Sequence, residues 1–253
     1  MGEWVVFQLL STAESIVLVR FNVLKRAAMF HVKQLGFDIL TNKYYNGIGG
    51  KNRKDILMIA KRDKKGKRLI MTPRDYCVVD IETTGLTPSN SEIIEIAAIR
   101  YRDLEKTDSF STFVKPGQMI SDFIVELTGI SNEMVADAPD ISEAILGFRD
   151  FVQDDIIIGY NVNFDLNFLY DALLGCHGLA LSNDYVDVLS FARKALPRFE
   201  RKSQTRVADH LRIPSTGAHR AERDCEICND IYQRLMKNVR IIQWVEENEK
   251  AGK

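Results

Sequence analysis

Cysteine is scarce, four in 253 residues, too few for the disulfide framework that staples small secreted domains. Long apolar runs are also missing. Residues 1–10 are apolar but carry Glu3 and no basic leading segment, and the run at residues 16–23 is broken by Arg20. Neither a secretory signal nor a membrane-spanning helix is expected from them. Position 6 is Val6 where a myristoylated Gly2 would call for Ser or Thr. No internal repeat or low-complexity tract stands out. These absences leave a cytoplasmic protein with reduced thiols and no membrane partner. What is present agrees: 45% apolar and 27% charged residues describe an ordinary globular chain, not a disordered one.

Net charge is small as well, at −1, but the total hides a division. Residues 1–74 hold 15 Lys+Arg against 5 Asp+Glu, whereas the other 179 residues hold 19 against 30. A basic arm on an acidic body suggests two jobs, with a polyanion as a partner for the arm. Within the arm, residues 51–68 carry nine basic residues against Asp55 and Asp63. That stretch reads as a solvated, lysine-rich linker, or as a tether to nucleic acid phosphates. Residues 5–10, 16–24 and 30–40 are apolar runs too short for periodicity to separate strand from helix. Asn46-Gly47-Ile48-Gly49-Gly50 marks a turn or hinge.

From Tyr76 the pattern becomes regular. Residues 76–82, 93–102 and 108–114 read as three strands, the first ended by Thr83-Thr84-Gly85 and the third by Lys115-Pro116-Gly117. They follow too closely for helical crossovers and should be antiparallel neighbours. A strand at 156–158 and helices at 142–152, 164–175, 188–195, 203–211 and 220–237 come next. Strands first, then strands alternating with helices, predict an α/β fold with a mixed sheet flanked by helices. The division read from composition is a basic N-terminal extension at 1–70, a main domain at 71–237 and a tail at 238–253.

Acids occupy informative places in this frame. Asp80 and Glu82 share one face of a strand that Val78, Val79 and Ile81 mark as buried on both sides. Two adjacent buried carboxylates repel, and a divalent cation resolves that conflict because hard cations take carboxylate oxygens. Asp165, in Gly159-Tyr160-Asn161-Val162-Asn163-Phe164-Asp165, opens a helix, where the macrodipole favours negative charge. His219 precedes a long amphipathic helix and Asp224 lies in its early turns. Their spacing of five does not stack them on one helix face, and suits a loop histidine beside a helical aspartate. Gly217 would let that loop move. A histidine there can take a proton from a water at neutral pH. Taken singly, Asp165 reads as an ordinary helix-start acid and His219 as a surface histidine; they gain weight only together.

Together, Asp80-Ile81-Glu82-Thr83-Thr84-Gly85, the run from Asn161 to Asp165 and the run from His219 to Asp224 resemble the three motifs of the DEDDh exonuclease superfamily, which includes the proofreading epsilon subunit of bacterial DNA polymerase III. Ile94-Glu95-Ile96-Ala97, Leu127-Thr128-Gly129-Ile130-Ser131 and Val186-Asp187-Val188-Leu189 match in a secondary way. The resemblance spans residues 75–237 with motif order kept. It implies a ribonuclease-H-like mixed five-stranded sheet and 3′–5′ hydrolysis that releases nucleoside 5′-monophosphates. It further implies two Mg²⁺ or Mn²⁺ ions on Asp80, Glu82, Asp165 and Asp224, with His219 as general base. Thr83, Thr84, Leu86, Asn161 and Phe164 would receive the terminal nucleotide, with Leu86 wedged against its base. Tyr160 stands where many members have histidine, and the roles of Glu95 and Asp187 stay open. The expected partners are single-stranded or frayed DNA 3′ ends, or RNA, and a polymerase. A non-catalytic nucleic-acid-binding or polymerase-accessory module is the alternative of another class.

Two other features stand out. Cys225-Glu226-Ile227-Cys228 has the gap of a metal pair but no second pair and a mid-helix position, so core or surface thiols are expected rather than a zinc site. Arg193, Lys194, Arg198, Arg201, Lys202 and Arg206 crowd ahead of the third motif as candidate phosphate contacts, with a solvated helix connection as the plain reading.

Overall fold

The computed structural model describes Trp4–Phe7, Val17–Arg20, Arg62 and residues 64–252. It divides into two units, residues 1–47 and 48–253. In the first, β1 (Trp4–Phe7) and β2 (Val17–Arg20) pair antiparallel, which resolves two of the ambiguous apolar runs as strands. The third ambiguous run, 30–40, and the turn signal at 46–50 lie outside the described residues.

The second unit is built on a five-stranded mixed sheet in the order β5-β4-β3-β6-β7. The strands β3 (Tyr76–Thr83), β4 (Ile93–Arg102) and β5 (Glu105–Phe113) form the expected antiparallel meander. Short strands β6 (Ile157–Gly159) and β7 (Tyr185–Asp187) add on parallel to β3. β5 starts three residues earlier than its apolar pattern does. Asp103 and Leu104, at φ 50° and 72°, make a two-residue hairpin turn with both residues left-handed. No glycine signals that turn in the sequence. β7 is three residues long, too short to leave a periodic signal of its own.

Helices cover both faces. On one face α2 (Ile141–Val152) and α3 (Asn163–His177) pack on Cys77, Val79, Ile81, Ile96 and Ala98. On the other, α4 (Val188–Ala195), α5 (Gln204–His210), α6 (Ala221–Leu235) and α7 (Val239–Ala251) pack on Tyr76, Val78, Ala97 and Ile99. A seven-residue helix, α1 (Asp122–Thr128), closes a small third cluster of Ile94, Ile120, Ile124, Ile130 and Val135. α7 falls in the stretch read as a tail. Ile241 and Val245 are buried in the core and Trp244 meets Phe191 edge-on at 5.9 Å. Cys225 and Cys228 are buried on the inner side of α6, as free thiols.

The chain just before β3 also belongs to this body. Leu69 N–H donates to the Tyr185 carbonyl and Tyr185 N–H to that of Lys67, so residues 67–69 run along the open side of β7. Leu69, Ile70 and Met71 pack on the core. Among the described residues no helix is long and apolar enough to cross a membrane.

Candidate active site

Strand alternation decides where the acids go. Tyr76 and Val78 face α6, so Asp80 and Glu82, two and four residues beyond Val78, face the same way. On β4, Glu95 stands directly across from Glu82 and shares the face of Ala97. Asp165 lies in the first turn of α3 and Asp224 in that of α6, 4% and 8% exposed. Four carboxylates expected from the sequence therefore converge at one end of the sheet.

Their electrostatics report that convergence. Burial, then Asp165, Asp224, Glu82 and Glu95, drive the Asp80 carboxyl well above the usual carboxylate range. Burial with Asp224 and Glu95 pushes Glu82 up to about 7, against the pull of Arg220. Burial also raises Asp165 and Asp224, although backbone N–H groups oppose the rise in both. Such a cluster holds more negative charge than Arg220 offsets, and a hard divalent cation would be suited to make up the difference. Oxygens of Glu82 and Asp224 and a ring nitrogen of His219 lie within 4.8 Å of one another, a spacing that suits one ion or one water held among them. Asp80 and Asp165 stand beside that trio rather than in it.

Two of the site residues have left-handed backbones. Asn161 has φ 60° and His219 φ 69°, a region in which Asn and His are enriched among non-glycine residues. Each is caught by a carboxylate from further along the chain. Asn161 N–H donates to Asp187 Oδ1 at 2.9 Å, and His219 N–H to Asp224 Oδ2 at 2.8 Å. Asp187 also caps α4 through Leu189 N–H at 3.1 Å, which settles its place in the structure as a support for the Asn161 loop. Gly217, at φ 81°, lets the chain turn into His219. Gln204 Nε2, from α5, holds Asp224 Oδ1 at 2.7 Å. Sequence reasoning missed that residue, since nothing near Gln204 in the chain points to Asp224.

Glu95 has the clearest structural role of the residues left open. Only 2% exposed, it accepts from Arg220 Nη2 at 2.9 Å and from Ala221 N–H at 3.0 Å. It thus caps α6 from a neighbouring strand, since the N-cap residue Arg220 makes no side-chain cap bond. Arg220 also lies 5.1 Å over the Phe113 ring. Glu95→Ala should lower stability by ~1–2 kcal/mol, mostly from the unmet Ala221 N–H, because solvent screens the half-exposed Arg220. Chemical denaturation would read this, and a loss below a few tenths of a kcal/mol would contradict the capping role.

The expected nucleotide-pocket residues occupy varied settings. Thr83 is buried and its hydroxyl donates to the Gly85 carbonyl at 2.6 Å. Thr84 Oγ1 accepts from Glu92 N–H at 2.9 Å, pinning the turn between β3 and β4. Leu86, on that turn, is 83% exposed, an apolar side chain left bare among the described residues. Phe164 is half-buried against Phe168, with ring centroids 5.1 Å apart. Tyr160 donates to the Lys202 carbonyl at 2.7 Å and so ties the Asn161 loop to the basic segment before α5. In that segment Arg193, Arg198, Arg201 and Arg206 are exposed, while Lys194 lies 5.7 Å over the Trp244 ring.

The raised carboxyls carry a sign for stability. A carboxyl whose folded value exceeds its unfolded value contributes stability that is present at low pH and lost as pH rises through the folded value. For Glu82 that loss runs from about pH 4.5 to about 7. The metal-free protein should therefore melt at a lower temperature at pH 8 than at pH 5. Mn²⁺ should raise the melting temperature more at pH 8, where the acids are ionised and free of protons. Thermal melts in chelator and in Mn²⁺ at both values test this, and an equal metal shift at the two would contradict it.

Comparison with known proteins bears on the same residues. The model of a family described as exonuclease matches residues 77–232. The DNA polymerase III subunit epsilon of Aquifex aeolicus is 32% identical over 164 residues, covering 65% of this chain and 81% of that protein. The PolC-type DNA polymerase III of Bacillus subtilis is 34% identical over 189 residues, 72% of this chain. The chain spans only about an eighth of the length of such PolC-type relatives (13%, 12% and 11% for three of them). Among solved structures, exonuclease X in complex with 5′-overhanging duplex DNA aligns with a TM-score of 0.54 at 22% identity, covering 65% of this chain and 92% of that one. Escherichia coli exonuclease I with a dA16 oligonucleotide aligns at 0.59 and 18% identity, over 68% and 43% of the two chains. These structural likenesses establish the ribonuclease-H-like fold.

Proposed function

The chain belongs to the exonuclease family, and on that footing we propose that it removes nucleotides from the 3′ end of DNA, hydrolysing the terminal phosphodiester bond to release nucleoside 5′-monophosphates in proofreading or repair. The observation that carries this reading is the meeting of Glu82, His219 and Asp224 within 4.8 Å, beside the buried Asp80 and Asp165. The relatives support DNA as the substrate: one is a replicative polymerase subunit, and two structural neighbours hold DNA. Association with a polymerase is part of the same proposal.

Asp80, Glu82, Asp165 and Asp224 would hold two divalent ions, Mg²⁺ or Mn²⁺, a donor set of hard oxygens that suits either. Bound there, such a pair supplies positive charge to the attacking and leaving oxygens of an in-line displacement. His219 takes the proton of the attacking water. The imidazolium that results is stabilised by the Glu82 and Asp224 carboxylates close by. Asp224 also holds the His219 backbone, so base and carboxylate keep a fixed spacing through the reaction. Thr83, Thr84 and Asn161 shape the pocket for the terminal nucleotide. Phe164 offers it an apolar wall, and the exposed Leu86 separates its base from the next. Arg193, Arg198, Arg201 and Arg206 contact phosphates further along the strand.

The test is a degradation assay in Mn²⁺ with 5′-labelled single-stranded DNA and RNA of matching sequence. A ladder shortening from the 3′ end of DNA, abolished by chelator, is expected. A ladder on RNA alone would move the role to RNA turnover, and cleavage of neither would leave a non-catalytic binding module.

A further inference from the structure

The basic residues at 62–68 lie outside the stretch that matches the exonuclease family, and the structure shows them held as a strap on the catalytic body. Arg62 grips both carboxylate oxygens of Asp171 at 2.8 and 2.6 Å. Lys65 Nζ donates to Asn163 Oδ1 at 2.6 Å and Asn167 Oδ1 at 2.7 Å, both on α3, and lies 5.6 Å from the Tyr185 ring centroid. Lys67 N–H donates to Asp184 Oδ1 at 2.7 Å. Gly66 presses so closely on residue 183 that a Cβ would sit 1.8 Å from the Asn183 carbonyl oxygen. Main-chain bonds and a glycine fix the strap, which therefore does not depend on its remaining cations.

Those remaining cations face outward. Lys64, Lys67 and Arg68 are exposed, and none makes an ion pair with a carboxylate among the described residues. Arg68 bridges to Tyr185 at the start of β7, and the positive charges of Arg68 and of Arg193 on α4 both act on Asp187. Asp187 is the carboxylate that holds Asn161. Two basic segments more than a hundred residues apart thus each bring a cation, Arg68 beside β7 and Arg193 on α4, near the carboxylate that holds this loop of the active site.

We propose that Lys64, Lys67 and Arg68 form a fixed phosphate-binding strip for the single-stranded nucleic acid substrate, contacting phosphates interior to the terminal nucleotide. The inference rests on the exonuclease reading for its substrate. A strip already ordered on the body loses less conformational freedom on binding than a flexible tether does. Each phosphate neutralised on a single strand contributes about 0.7 to the slope of log affinity against log salt, so three contacts contribute about 2.

The experiment compares the full chain with the triple variant Lys64→Ser, Lys67→Ser, Arg68→Ser. Binding of a fluorescein-labelled 20-nucleotide single strand is measured by anisotropy in chelator over a range of salt. Hydrolysis of the same strand, and of the p-nitrophenyl ester of thymidine 5′-monophosphate, is measured in Mn²⁺. The strip predicts affinity weakened ~10-fold or more near physiological salt and a slope reduced by about 2. It also predicts a higher KM on the strand with kcat unchanged, and an unchanged rate on the ester, which has no interior phosphate. An unchanged affinity and slope would overturn the proposal and leave the three residues a solvated face. The binding arm reads the strip even where neither protein hydrolyses anything, an outcome that would count against the exonuclease reading alone. A melting temperature equal in the two proteins confirms that the strap remains in place.

Discussion

Asp80→Ala should reduce hydrolysis of single-stranded DNA by ~10³-fold or more, a loss of at least about 4 kcal/mol of transition-state stabilisation. Asp80 is buried among the clustered acids, and Asp165, Asp224, Glu82 and Glu95 all bear on it. Taking it away removes an oxygen donor from the proposed ion site and leaves the core strand β3 intact, because Val78, Val79 and Ile81 still fill both faces. The metal-free variant should melt at a higher temperature than the unsubstituted protein at pH 8, since one of several buried like charges is gone. The two readouts together are diagnostic. A functional ligand is lost and a destabilising charge is lost with it, so activity falls while stability rises. Full activity in the variant would end the assignment of Asp80 to the metal site. A fall in both activity and melting temperature would make Asp80 a structural residue.

His219→Ala should lower kcat by ~10²–10⁴-fold, the usual contribution of a lost general base. The side chain is exposed at the lip of the cluster and its removal opens no cavity. The backbone N–H that binds Asp224 survives the substitution, so the carboxylate stays in place and metal binding should be retained. Alanine does tolerate the left-handed backbone at this position less well than histidine. His219→Asn, which accepts that backbone, separates the two effects. Both variants should be equally slow and both should still show the Mn²⁺-induced rise in melting temperature. A loss of only two-fold in the asparagine variant would remove His219 from the role of base. Loss of the Mn²⁺ response instead would make it a ligand.

The parts of this protein that were legible from its sequence are those in which neighbours along the chain do the work. Alternation over residues 76–82 put Asp80 and Glu82 on one face, and the close succession of β3, β4 and β5 made them antiparallel. The ends of α2 and α4 agree closely with their apolar patterns. What could not be read depends on contacts between distant segments. Glu95 caps α6 across more than a hundred residues, Asp187 holds Asn161, and Gln204 holds Asp224. Each is an ordinary polar residue until the fold brings its partner near. For the apolar run at residues 241–245 core docking is the default expectation, and what stays hidden is the surface it meets, Phe191 and its neighbours. Residues 62–68 read as a lysine-rich connection. Composition cannot reveal that Gly66 fits a backbone niche or that Lys65 finds two asparagines on α3.

The strap along β7 has a consequence for one edge of the sheet. β7 is the last strand on its side of the sheet, and its outward peptide groups would otherwise be an open template for pairing with another molecule. Residues 67–69 occupy that template with two main-chain bonds, and the lysines around them repel a second copy. A protein begun at residue 77, where the family match begins, would keep the full carboxylate cluster and lose this cover. It would be prone to pairing along that edge, and it would lose the fully buried Tyr76 of β3 as well.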